Sequence, residues 1–153
     1  GGVETKKLLR FVCPISLPAI PAFAAAEKFR EGKTVDGIRV AWLGGNFKTN
    51  FLKKKESAVP ALDMREHELV ARSRDPAIIT ELGGEDQVET PLAHFWEYLK
   101  SAGRTGWHIR YIRDIKGVLW AVHGDWVCGG LSVDARPLGY PDAWSVGNRF
   151  GSR

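Results

Sequence analysis

Residues 107–126 read WHIRYIRDIKGVLWAVHGDW, and no other stretch restricts the fold of this chain as much. Two runs rich in β-branched and aromatic residues flank Asp114-Ile115-Lys116-Gly117, a turn signal ending in glycine. Such side chains favour extended backbone, and so short a connection forces the two strands to pair antiparallel. Pairing Arg113 with Val118 separates the side chains into two sets. One face carries Trp107, Ile109, Tyr111, Val118, Trp120, Val122 and Trp126; the other carries His108, Arg110, Ile112, Leu119, Ala121, His123 and Asp125. A slip of one residue would put Ile109 and Tyr111 on the face of His123, so burial favours the segregated register. That register predicts His108 directly across from His123, with Cβ atoms roughly 4.5–5.5 Å apart. Arg110 and Asp125 are then same-face neighbours.

The remaining chain supplies helices first and strands last. Residues 37–46, GIRVAWLGGN, read as a β-rich run stopped by a glycine pair, and 46–56 as a helix capped by Asn46 with Phe47 and Phe51 stacked. Residues 61–72 fit helix or strand equally. In 75–84, Asp75 caps, Pro76 takes the first helical position and Gly83 stops the helix. Residues 90–103 repeat that grammar, with Leu92, Phe95, Trp96 and Leu99 as an apolar stripe. Runs at 107–114, 118–126 and 130–136 follow. The expected class is α+β: an N-terminal extended arm, about three helices, then an antiparallel sheet built on a C-terminal meander. A length of 153 residues suits a single domain, divided into an arm (1–23) and a globular body (24–153).

The arm resembles a secretory signal, with a basic start, an apolar middle and Ala22-Phe23-Ala24. Arg10 interrupts the apolar stretch, however, and Pro14, Pro18 and Pro21 break any helix there. It reads as an extended segment suited to a sheet edge or a surface strap. No run is long and apolar enough to span a bilayer. A cytoplasmic location is expected, with export left open.

A net charge of +4 is too small and too dispersed to mark a nucleic-acid binder, and Lys53-Lys54-Lys55 reads as a solvated helix end. Cys13 and Cys128 have no metal or redox spacing and read as two buried thiols. Several motifs fail on inspection. HELVA (67–71) lacks the second histidine of a zinc-protease helix, WLGGNFKTN lacks the lysine of a phosphate loop, and GGLSV is not a nucleophile elbow. Four of the six tryptophans fall on inward stripes, while Trp42 and Trp144 are left unexplained.

His108, Arg110, His123 and Asp125 are therefore the candidate binding face. Two imidazoles and a carboxylate could ligate a divalent metal, and one imidazole oriented by Asp125 could act as a general base. Solvent-facing strand residues of no special role are the plainer explanation, with simple binding next. No cofactor and no metal are assigned.

ISLPAIPAF (15–23), IRVAWLGGNF (38–47), DPAIITELGG (75–84), YIRDIKGVLWAV (111–122) and the closing GNRFGSR together resemble a family of small uncharacterised bacterial proteins. Its members carry ISLPxIPAF, LGxNF, IIAELGGE, YVRDVNG and VFSR motifs in that order. Ile115-Lys116 stands where those members have Val-Asn, and WVCGGLSVD departs from their aromatic strand. The resemblance implies a compact bacterial domain and brings no activity, cofactor or catalytic residue. The expected function is a small non-catalytic binding or accessory module for a protein or small-molecule partner. The alternatives are an enzyme using His108, His123 and Asp125, or a weak nucleic-acid binder. Nucleic acid is disfavoured, no membrane partner is expected, and homo-oligomerisation is left open.

Overall fold

The structure, a computed structural model, describes residues 6–153. Residues 1–5 of the expected arm lie outside the described residues. Ten strands and five short helices follow in the order β1 (Leu9–Leu17), β2 (Phe23–Ala24), α1 (Ala25–Lys28), β3 (Thr34–Val35), β4 (Ile38–Leu43), α2 (Gly45–Phe51), β5 (Lys55–Glu56) and β6 (Leu62–Leu69). Then come α3 (Asp75–Glu81), α4 (Glu85–Val88), α5 (Leu92–Ser101), β7 (Trp107–Arg113), β8 (Leu119–Val127), β9 (Gly130–Pro137) and β10 (Arg149–Ser152). Eight strands form one sheet in the order β1-β6-β10-β7-β8-β9-β4-β3, and β2 pairs with β5 apart from it.

This architecture corrects the expected one. The sheet is mixed, because β4 runs parallel to β9 and β10 runs parallel to β7. Both parallel joins connect segments far apart in sequence, so no local turn signal encodes them. Of the two placements expected for the arm, the structure shows the sheet edge and not the strap. Residues 9–17 form β1, paired antiparallel along β6, and Pro14 is tolerated because β1 is an edge strand. Residues 61–72 resolve as β6, so strands are spread along the chain and do not gather at its end.

Helix starts follow the expected places but with different caps. Helix α2 begins at Gly45, and its Phe47 amide donates to Asp134 Oδ1 (3.1 Å) on β9. Asn46, the expected cap, instead donates its side-chain amide to Ala135 O (2.9 Å). Asp75 is the first residue of α3, and it is buried. Glu56, from β5, caps α5 by accepting the Leu92 and Ala93 amides at 2.9 and 2.8 Å. A cap of this kind contributes about 1 kcal/mol. Leu92, Phe95, Trp96 and Leu99 are all buried, as their spacing requires.

The hairpin forms, but one residue out of the expected register. Arg113 pairs with Leu119, which sets Ile109 opposite His123 and His108 opposite Gly124. Asp114 fixes the longer connection. Its Oδ1 accepts the Lys116 and Val118 amides (2.8 and 2.9 Å), and Oδ2 accepts the Trp120 indole N–H (2.8 Å). Gly117, at φ 81°, completes the turn in the left-handed region. Burial could not select the register because both faces of β7 are covered. One core packs α2 and α5 against Ile112, Val122, Leu131 and Val133. The other packs α3, α4 and Trp144 against Ile109, Tyr111, Leu119 and Phe150. These are called the α5 face and the Trp144 face below.

Candidate functional site

The observed register separates the four residues predicted to share a face. Side chains alternate along a strand, so His108 and Arg110 enter the α5 face, whereas His123 and Asp125 enter the Trp144 face. The two imidazoles are not cross-strand neighbours, and they cannot jointly hold a metal or a substrate. Among the described residues, no group of three or more His, Cys, Asp or Glu gathers as a metal site.

On the α5 face, His108 belongs to a closed network. Its Nε2 donates to Gly103 O (2.9 Å), and its Nδ1 lies 2.7 Å from the Tyr98 hydroxyl. Tyr98 also hydrogen-bonds Glu66. With Nε2–H committed, Nδ1 of a neutral imidazole can only accept, so one hydroxyl proton faces two acceptors. Arg110 is 2% exposed, with its guanidinium 4.0 Å from the Tyr98 ring centroid and 3.5 Å from Glu66 Oε1. A Cβ at Gly151 would lie 2.5 Å from Arg110 Nε, so the adjacent strand must carry glycine there. Burial, aided by the Arg110 charge, holds His108 below its ordinary value. Burial pushes the Tyr98 hydroxyl up. The group has partners on every side and almost no access.

On the Trp144 face the situation is the reverse. A recess of about 260 Å³ is bounded by Trp107, His123, Asp134, Arg136, Tyr140 and Trp144. A second hollow of about 370 Å³ adjoins it through Trp107, Arg136 and Trp144. The His123 ring centroid lies 4.9 Å from Trp107 and 5.7 Å from Trp144. Trp144 is anchored by its indole N–H, which donates to Asp75 Oδ1 (2.6 Å) alongside the Tyr111 hydroxyl (2.7 Å). The Arg136 guanidinium carbon sits over Trp144, 3.3 Å from the ring centroid, with Nε 3.7 Å from Asp75 Oδ2.

Hydrogen-bonding capacity is left over here. His123 Nδ1, Arg136 Nε and Asp75 Oδ2 are buried without a hydrogen-bond partner, as are His94 Nδ1 and Trp126 Nε1 on the α5 side. Burial lowers His123 to about 4, against a smaller upward pull from Asp134, so the ring is neutral at physiological pH. Burial raises both Asp75 and Asp125, and for Asp125 no cation offsets it. Asp134 is held by the Phe47 and Ala135 amides on Oδ1. Gly44 makes room for it, because a Cβ there would lie 1.9 Å from Asp134 Cγ.

Sequence reasoning missed Asp134, Arg136 and Tyr140. The alternation in β9 contained a signal for the first two. Leu131, Val133 and Ala135 point to one face, which leaves Ser132, Asp134 and Arg136 together on the other. The thiols also differ from expectation, since Cys128 is exposed at the β8–β9 turn and Cys13 is only partly buried. Compared with protein-family models, curated proteins and solved structures, the chain matches none of them. No helix among the described residues is long and apolar enough to cross a membrane.

Proposed function

We propose that this chain is a small non-catalytic binding module whose partner, a small molecule or a protein side chain, docks in the recess of Trp107, His123 and Trp144. One observation carries this reading. A hollow of about 260 Å³ is lined by partly exposed Trp107 together with the His123 ring, the Asp134 carboxylate and Arg136, an aromatic wall carrying a few polar groups, the combination that favours ligand binding over self-packing. Neutral His123 presents an uncharged ring to the recess, which suits a polar, uncharged group. We further place the chain beside the small bacterial family that its motifs resemble, a kinship that attaches no activity.

A fragment screen read through the tryptophan indole N–H resonances tests the proposal. Binding fragments should move the Trp107 and Trp144 signals, and a Trp107→Ala variant should lose both the shifts and the binding. Fragments that map elsewhere would sink the recess. Turnover of any substrate in a broad hydrolase and transferase panel, lost in His123→Ala, would overturn the non-catalytic reading.

A further inference from the structure

Trp42 is 50% exposed on β4, and its direction has a structural cause. The β4–β9 register shifts between Val40 and Trp42, so Ala41 and Trp42 together oppose Ser132. A bulge of this kind turns both residues to one side. That side is the Trp144 face, since Val40 and Leu43 are buried in the opposite core. Trp107 pairs with Asp125, Asp125 with Ser132, and Ser132 with Trp42, so the four make one row across four adjacent strands. Three inter-strand steps of ~4.8 Å separate the two tryptophans by ~14 Å. Helices α2 and α5 lie on the other side of this half of the sheet, and Trp107 is itself 39% exposed. The row ends at the recess, where His123 and Asp134 form the next cross-strand pair inward.

The chemistry of the row selects an occupant. Two flat apolar platforms stand at its ends, with a carboxylate and a hydroxyl between them. A polyanion would meet two carboxylates, Asp125 and Asp134, against Arg39, whose guanidinium reaches Gly130 on this face, and Arg136, which already lies over Trp144 beside Asp75. That argues against nucleic acid, whose single-stranded binders pair aromatic platforms with a positive groove. A peptide side chain would need an apolar pocket, and the two hollows described above reach Trp107 but not Ser132 or Trp42. A chain of pyranose rings presents C–H faces to indoles and hydroxyl edges to carboxylates and serine. We infer that Trp107, Asp125, Ser132 and Trp42 form a track for a neutral oligosaccharide, continuous with the recess. The inference rests on the binding-module reading and assigns the ligand class to it.

The test titrates the full chain with neutral disaccharides and hexasaccharides of β-1,4-linked glucose, xylose and N-acetylglucosamine, following tryptophan fluorescence. Heparin and single-stranded DNA serve as charged comparisons. At least one neutral series should bind, with the hexasaccharide about tenfold or more tighter than the disaccharide, a gain worth about 1.4 kcal/mol. Trp42→Ala should abolish that gain and leave disaccharide binding intact, whereas Trp107→Ala should abolish both. Trp42→Ala should keep the parent melting profile, and Trp107→Ala should retain the parent far-UV circular dichroism spectrum at the assay temperature. The track is overturned if no neutral saccharide binds, if only heparin or DNA binds, if the length gain survives Trp42→Ala, or if Trp42 is covered in a dimer. Saccharides failing while fragments still move Trp107 would remove the track and leave the recess reading standing. Binding of every probe unchanged by Trp107→Ala would remove both.

Discussion

His108 and His123 sit on neighbouring strands of one hairpin, and burial depresses the pKa of both. Their surroundings differ in what is left to do. His108 has both ring nitrogens facing protein partners, Gly103 O and the Tyr98 hydroxyl it shares with Glu66, beneath helix α5. His123 has a ring nitrogen without a partner and opens onto an aromatic recess. A buried polar group becomes a candidate for recognition when its bonding is incomplete and its surroundings can be reached. The same residue type enclosed by protein partners serves the fold.

The largest effect is expected on the closed side. Glu66→Ala leaves Arg110, 2% exposed, without its carboxylate, and should cost about 3–5 kcal/mol in urea denaturation. A loss below about 1 kcal/mol would mean that the network is not holding the fold, and the contrast between the histidines would collapse.

The next effect belongs to the open side and depends on pH. His123 titrates at about 4 in the fold against 6.5 in the unfolded chain, so the unfolded chain takes up its proton first as pH falls. The stability from its neutral form is complete above pH 6.5 and drains until about 4, a change of roughly 3 kcal/mol. His67 and His108, also lowered, act in the same sense. Asp75 and Asp125, raised by burial, act oppositely. His123→Phe should therefore flatten the stability profile relative to the parent between neutral pH and pH 4. An unchanged slope would show that His123 is not the group responsible.

Gly44→Ala should cost about 1–3 kcal/mol, because the added methyl displaces the Asp134 carboxylate that caps α2 at one wall of the recess. Thermal melts measure the loss, and weaker ligand binding should accompany it. The smallest effect is reserved for Trp42→Ala, within about 0.5 kcal/mol of the parent in the same melts, since half of the side chain is already in solvent. A larger loss would make Trp42 a packing residue and remove its availability for recognition.

The elements most legible in the sequence were those governed by local rules. Pro76 and Pro91 marked the starts of α3 and α5, and the stripe through Leu92 and Leu99 marked the buried side of α5. Asp114 to Gly117 marked the hairpin connection. The register was not legible, because alternation chooses a face only where one face is wet, and β7 is covered on both. The parallel pairings of β4 and β10 depend on contacts between remote segments, so the mixed sheet could not be read from neighbours in sequence. The recess was half visible. His123 and the unexplained Trp144 stood out, and the alternation in β9 grouped Asp134 with Arg136, but Tyr140 joins them only through tertiary packing.

The placement of β10 has a consequence for self-association. Its four residues lie between β6 and β7, joining one portion of the sheet to the other. It pairs with four residues of β6 but bridges β7 at only one, Arg149 to His108. If β10 comes away, the inner edges of Leu62–Leu69 and Trp107–Arg113 are exposed together. Each is then a row of unpaired amides and carbonyls, able to accept a strand from another molecule. The short β10 thus covers both inner edges, and its detachment would open them to intermolecular pairing.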